Sequence, residues 1–361
     1  MAKTKSKRIF YLDALRAVAI LTVITVHVYA VTRIHVMADF AIGPSIRWLV
    51  SQFTGNNLRI GVDLFLMLAG ALSLGREWTI REFLGKRIPR IVEPFVFWGL
   101  VTGAIAVIIS YYFGYNFIYI FDINSILNFF YGVFMAKSPG FLPYWFFWMI
   151  LGTYLIMPIF NKWLKYSDLK EAEYFLVFWL ITCLFDFTLN IKFPIKLSYF
   201  VSPIGLVVAG YYLRHTKREI LNNPYFALAL TFLSALLIMG MVTYFSTPTK
   251  FHTLNRYSLP ISLEVIGVFL LFKNFNKFGL DLGFIKNENS LFRRFVSLIA
   301  KYSYGIYLIQ GMFLCIYAKI LPYHEFYSHV FIMFILIVAS SLVTMHILNH
   351  VPYVKDVIGA K

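Results

Sequence analysis

Ten apolar runs of membrane-spanning length follow one another along this chain of 361 residues. The bilayer core offers no water to backbone N–H and C=O groups, so a chain that crosses it forms helices or a closed barrel. A crossing helix needs about 20 mainly apolar residues. The runs lie at residues 10–31, 57–75, 91–113, 143–163, 174–190, 199–213, 225–246, 258–273, 297–319 and 329–350. They predict an all-α, polytopic integral membrane protein with about ten transmembrane helices in a single domain, 1–361.

The amount and the distribution of charge agree with this fold class. Only 14% of the residues are charged, against about 25% in soluble domains. With the N-terminus in the cytoplasm, 23 of the 33 Lys and Arg residues fall in cytoplasmic segments, as the positive-inside rule requires. We therefore expect both termini in the cytoplasm. The net charge of +16 is spread between the runs, so membrane lipid is the expected partner and nucleic acid is not.

The first run contains two ionisable residues, Arg16 and His27. Each such group near the centre of a membrane helix costs roughly 2.5–3.5 kcal/mol on insertion scales, so it is a functional hypothesis by default. Eleven residues amount to three helical turns plus about 20°, which puts both side chains on one face, roughly 16 Å apart. The sequence thus predicts a cation near one membrane surface and an imidazole deep in the span.

Asp63 lies in the outer part of the second run, at a depth similar to that of His27. A carboxylate that accepts a hydrogen bond from one imidazole nitrogen would fix the tautomer and raise the basicity of the other. The alternative is an ion pair with Arg59, four residues earlier on the same helix face. Both interpretations stay open at the level of sequence.

A basic segment precedes the third run and contains Lys86, Arg87 and Arg90. It is either a topology determinant in contact with lipid phosphates or a clamp for a phosphorylated cytosolic ligand, because guanidinium groups bind phosphate oxygens in a bidentate fashion. A helical start would put Arg87 and Arg90 on one face.

Two further residues are candidates for substrate binding. Trp145 heads the fourth run and is either an interfacial belt residue or a stacking surface for a sugar ring. Glu264 lies in the eighth run and is either a polar element of the site, facing the interior, or a partner of Arg256. No metal is expected, because His346 and His350 have no evident third ligand.

Several segments together resemble the membrane acyltransferase-3 family. The motifs that carry the resemblance are Leu12-Asp-Ala-Leu-Arg16 followed by His27, Gly61-Val-Asp-Leu-Phe65 with Ala69-Gly70, Lys86-Arg-Ile-Pro-Arg90 with Pro94, Trp145-Phe146 with Tyr154 and Pro158, and Ser303-Tyr-Gly-Ile-Tyr307. The closest subgroup comprises stand-alone O-acyltransferases that act on surface polysaccharides. Two positions depart from the family pattern, because Ala69 replaces a usual Ser and Gln310 replaces a frequent His.

The resemblance implies transfer of an acyl group, usually acetyl, from cytosolic acyl-coenzyme A to a hydroxyl of a surface glycan or of its lipid-linked precursor. It makes His27 the catalytic residue. Arg16, Arg87 and Arg90 would bind the phosphates of coenzyme A or shape the site, and Lys86 belongs to the same basic motif. We expect a multi-pass protein of a prokaryotic plasma membrane that can form homo-oligomers. The alternative is a transporter or flippase for a lipid-linked glycan, which needs no acyl donor.

Overall fold

The structure is a computed structural model that describes residues 9–32, 46–114, 117–137, 144–191, 200, 203–246, 252–280, 282–323 and 325–360. Within these ranges the regular secondary structure is entirely helical. The α-helices of eight or more residues are α1 (Phe10–Thr32), α2 (Ile46–Asn56), α3 (Gly61–Ser73), α4 (Ile80–Arg87), α5 (Pro89–Phe113), α6 (Ile123–Phe134), α7 (Trp145–Tyr166), α8 (Leu169–Leu184), α9 (Pro203–His215), α10 (Pro224–Phe245), α11 (Leu259–Asn274), α12 (Leu291–Ile320) and α13 (Phe326–Leu348).

Each of the ten apolar runs overlaps one of these helices, so the all-α membrane fold class is confirmed. Seven helical stretches in the described part of the chain are long and apolar enough to cross a membrane. They contain α1, α5, α8, α10, α11, α12 and α13. The count of ten spans and the cytoplasmic termini stay predictions. Residues 1–8 and Lys361, which contribute to the charge bias, lie outside the described residues.

Local chemistry explains where several helices begin. Asp122 caps α6 by accepting a hydrogen bond from the backbone N–H of Ser125. Thr79 and Glu82 form a reciprocal capping box at the start of α4. Such caps satisfy backbone donors that the first turn of a helix leaves without an intrahelical partner.

The chain divides into two compact units that interleave along the sequence. The first unit comprises Met1–Thr22, Asn56–Gly75 and Leu164–Lys301, and the second comprises Val23–Gly55, Arg76–Trp163 and Tyr302–Lys361. The single domain over residues 1–361 stays a prediction.

In the first unit, glycines bring helices α3 and α9 into backbone contact. A Cβ atom on Gly70 would lie 1.8 Å from the carbonyl oxygen of Val207, and one on Gly210 would lie 1.9 Å from that of Met67. Both distances are far below any van der Waals contact, so only glycine fits. This pairing fixes the position of α3, which carries Asp63 near its start.

In the second unit, aromatic packing joins α5 to its neighbours. The ring of Phe95 stacks on that of Phe147, with 3.6 Å between the ring centroids. Trp98 donates a hydrogen bond to the carbonyl of Ile358, and the hydroxyls of Tyr144 and Thr102 are 3.0 Å apart. The buried rings therefore bring their polar atoms to defined partners, as buried Tyr and Trp side chains generally require.

Candidate functional site

His27 lies on α1, in the second unit. Its side chain is half-buried, and its Nδ1 atom is buried. The neighbouring residues Ile24 and Val28 are 1% and 0% exposed, so this part of the helix packs into protein on one side. An imidazole in such a setting can act as a general base if its second nitrogen reaches the substrate.

Arg16 lies on the same helix, in the part that belongs to the first unit. Its Nη1 atom is 3.3 Å from Oδ1 of Asp13, one turn earlier, and 26% of its side chain is exposed. The carboxylate both orients the guanidinium and partly neutralises it. Binding of an anionic ligand by Arg16, the role that the family resemblance implies, stays a prediction.

Asp63 is buried in the first turn of α3 and lies 3.9 Å from Nε of Arg256. The alternative ion pair between Asp63 and Arg59 is not formed within the described residues, although the charge of Arg59 acts on the carboxylate from a greater distance. Arg59 instead donates a hydrogen bond of 3.1 Å to the carbonyl of Leu254. The reason is local, because Arg59 lies in a 3-10 turn, Asn57–Ile60, where the α-helical facing of residues four apart is lost. The orientation of His27 by Asp63 stays a prediction.

Glu264 is buried in α11, with 4% of the residue exposed. Its Oε1 atom accepts a hydrogen bond of 3.1 Å from Nδ2 of Asn57. The alternative partner, Arg256, lies in the loop before α11 and is 3.9 Å from Asp63, and no pair between it and Glu264 is found within the described residues. The Asn57 amide also donates to the carbonyl of Ala235 on α10. Asn57 thus joins its own 3-10 turn to α10 and α11 in the first unit.

The basic segment of the second unit spans the boundary between α4 and α5. Arg87 is the last residue of α4, and Pro89 begins α5, so Arg87 and Arg90 lie on either side of a helix boundary. Lys86 and Arg90 are exposed and Arg87 is half-buried. The ammonium of Lys86 lies 4.8 Å from the ring centre of Trp78, a cation–π contact that orients it.

Trp145 begins α7 and is 41% exposed. The preceding residue, Tyr144, is fully buried, and its hydroxyl contacts Thr102. The buried tyrosine anchors this end of α7 and leaves an indole surface accessible beside it. The exposure of Trp145 agrees both with a residue of the interfacial aromatic belt and with a surface on which a sugar ring stacks.

Two partners in the first unit were not found from the sequence. Arg256, expected as a partner of Glu264, pairs with Asp63 instead, and Asn57 binds Glu264. One feature pointed to the second: Asn56 and Asn57 are adjacent polar residues at the edge of an apolar run. Both side chains form hydrogen bonds: Asn57 donates to Glu264, and Asn56 Oδ1 accepts from the backbone N–H of Leu254.

No cluster of three or more His, Cys, Asp or Glu side chains suited to a metal ion occurs within the residues that the structure describes. His350 Nδ1 lies 2.8 Å from the carbonyl of His346, so the spacing of these two residues serves a local contact.

Comparison with known proteins gives one match. No curated protein and no solved structure matches the chain. An acyltransferase domain family matches residues 9–346, nearly the whole chain and every motif in which the resemblance was seen. The protein therefore belongs to the acyltransferase-3 family of membrane acyltransferases.

Proposed function

We propose that this membrane acyltransferase transfers an acyl group, acetyl by preference, from cytosolic acyl-coenzyme A to a hydroxyl of a surface polysaccharide or of its lipid-linked precursor. The proposal rests above all on His27, a half-buried imidazole within a membrane-spanning helix. Such a group is costly there, and the chemistry of O-acylation needs a base of this type.

In the proposed reaction, His27 takes the proton of the acceptor hydroxyl. The hydroxyl oxygen then bonds to the thioester carbonyl carbon, the carbon–sulfur bond breaks, and the imidazolium returns its proton to the coenzyme A thiolate. A second route passes the acyl group through the imidazole itself. Asp63 is proposed as a catalytic partner that orients His27.

The donor phosphates are assigned to Arg16, Lys86, Arg87 and Arg90. Support comes from their chemistry and accessibility, because Lys86 and Arg90 are exposed and Arg16 is partly exposed. Guanidinium forks bind phosphate oxygens through paired hydrogen bonds.

The acceptor is assigned to Trp145 and Glu264. The exposed indole of Trp145 is suited to stack against a sugar ring. Glu264 is buried, so its part in acceptor binding requires the sugar to enter the first unit. We further propose a plasma membrane location, a prokaryotic source and a homo-oligomeric assembly.

The test is acyl transfer by the purified protein, with labelled acetyl-coenzyme A and a glycolipid extract of the host cell. His27→Ala is expected to abolish label transfer, whereas the control His346→Ala, an exposed histidine on α13, should retain it. Retained transfer by folded His27→Ala would refute the role of His27. Absence of both donor binding and transfer in the folded wild type would contradict the proposed reaction.

A further inference from the structure

A cavity of about 690 Å³ lies in the first unit, beside the start of α1. Its size falls within the range of about 300–1,000 Å³ that small-molecule sites occupy. Its walls are mostly apolar and include Phe10 and Ala14 of α1, Leu271 of α11 and Phe292 of α12. Neither Asp63 nor Glu264 is among the described residues that line it.

The lining of this cavity carries more positive than negative charge. It includes Lys273, Lys286 and Arg293 against a single carboxylate, Glu288. The distance between Arg293 and that carboxylate is 4.0 Å, and the Glu288 side chain is 72% exposed, so water weakens the attraction. The cationic lining is therefore suited to an anionic group.

Arg293 is held in a defined orientation at the cavity. Its guanidinium carbon lies 4.2 Å from the ring centre of Phe10, a stacking arrangement that arginine favours. Its Nε atom is buried and has no hydrogen-bond partner among the described residues. A buried donor without a partner costs free energy, and an anion at this position would supply the partner.

The protein surface around the cavity is apolar as well as basic. Leu280, Phe284, Leu291 and Phe295 are all at least half exposed, and they alternate with basic residues of the same segment. Exposed apolar side chains interleaved with Lys and Arg are typical of segments that lie in the headgroup region and attract anionic lipids. The segment is on the predicted cytoplasmic side, where α1 begins.

We propose that this cavity binds an anionic phospholipid of the cytoplasmic leaflet. An acyl chain fills the apolar part between α1, α11 and α12, and Arg293 binds the phosphate. Lys286 and Lys273, whose Nζ donates a hydrogen bond to the carbonyl of Leu213, add positive charge to the lining. A long-chain acyl-coenzyme A has the same two chemical features. The apolar surface beside the cavity favours a ligand that arrives from the membrane, and the assignment does not depend on the proposed acyl transfer.

The test is lipid binding to the delipidated full-length protein in detergent, measured by native mass spectrometry. Dioleoylphosphatidylglycerol is compared with dioleoylphosphatidylcholine, for the wild type, Arg293→Gln and Arg294→Gln. Arg294 is the neighbouring exposed cation and is not among the residues that line the cavity. Loss of a charge-assisted contact corresponds to about tenfold weaker binding. We therefore expect Arg293→Gln to bind phosphatidylglycerol about tenfold more weakly than the wild type, and Arg294→Gln to bind it as the wild type does. Phosphatidylcholine should bind weakly to all three proteins.

A second variant tests the apolar part. Ala14→Leu places a larger side chain in the cavity and should weaken phosphatidylglycerol binding. If Ala14→Leu is unstable, Arg293→Gln still tests the proposal independently. Equal binding of the two lipids, or equal losses in Arg293→Gln and Arg294→Gln, would overturn the proposal. Displacement of bound phosphatidylglycerol by equimolar oleoyl-coenzyme A would overturn the phospholipid assignment in favour of an acyl-coenzyme A site.

Discussion

Nε of Arg256 lies 3.9 Å from Oδ1 of Asp63, a carboxylate of which 1% is exposed. The distance is too long for a hydrogen bond, so the attraction between the two groups is one of charge. Arg59 acts electrostatically on the same carboxylate. The attraction between Asp63 and Arg256 therefore couples the start of α3 to the loop before α11.

Asp63→Asn is expected to destabilise the protein, because it leaves the two guanidinium groups without their counter-charge. Removal of one partner from a buried ion pair costs about 3–5 kcal/mol. The measurement is the melting temperature in detergent, and the comparison is Asp356→Asn, the same chemical change at an exposed carboxylate. Surface substitutions of this kind usually change stability by less than about 0.5 kcal/mol, so this control should melt close to the wild type. Equal melting of Asp63→Asn and the wild type would contradict a stabilising pair.

The contact of Glu264 with Asn57 leads to a second prediction. Oε2 of Glu264 and Oδ1 of Asn57 are buried without a hydrogen bond in the described part of the chain. Glu264→Gln keeps the acceptor for the Asn57 amide and adds a donor, so we expect stability within about 1 kcal/mol of the wild type. Glu264→Ala removes the acceptor and leaves space, which should cost about 2–4 kcal/mol.

Chemical denaturation in detergent measures both Glu264 variants. Glu219→Ala is the matched control, since it removes an exposed carboxylate and should change stability by less than about 0.5 kcal/mol. A Glu264→Ala variant as stable as this control would show that the hydrogen bond with Asn57 does not support the first unit.

The sequence predicted the helices well because apolar runs of spanning length have few alternative structures. The apolar runs do not reveal the helical residues that lie outside them. The run at 297–319 corresponds to the longer helix Leu291–Ile320, whose first turns carry Arg293 and Arg294. The segment 114–142, predicted to lie outside, contains α6, an apolar helix of 12 residues that is too short to be counted as a span.

The contacts of the candidate site were predicted less well, for a different reason. Asn57 and Glu264 are 207 positions apart, and no periodicity within one helix links residues at that distance. The α-helical spacing of four residues also gave the wrong partner for Arg59, because Arg59 lies in a 3-10 turn, in which different side chains face each other. His27 and Arg16 could be singled out because burial of an ionisable group in an apolar run is visible without knowledge of the fold.

Donor binding through the basic motif is tested by Arg87→Ala. If Arg87 holds a phosphate of acyl-coenzyme A, loss of the charge-assisted contact should raise the donor KM about tenfold and leave kcat within about twofold. Arg81→Ala is the control, since Arg81 is an exposed cation of the same helix, α4. A donor KM that is unchanged, or that rises equally in both variants, would count against a specific clamp.

The glycine contact between α3 and α9 gives the strongest prediction for stability. A Cβ at Gly210 would lie 1.9 Å from the backbone oxygen of Met67, so Gly210→Ala forces two helices apart rather than moving a flexible side chain. Overpacking of this kind costs about 1–3 kcal/mol. The control is Gly240→Ala in α10, where no atom lies within 4 Å of the added carbon.

We expect Gly240→Ala to melt at or above the temperature of the wild type, because alanine favours helix more than glycine does. Gly210→Ala should melt lower, and it should also reduce acyl transfer, since α3 carries Asp63. The two variants make the same chemical change on two helices and differ only in what the new methyl group meets. Equal melting temperatures would therefore mean that the α3–α9 backbones are not in close contact, and the position of Asp63 would need another explanation.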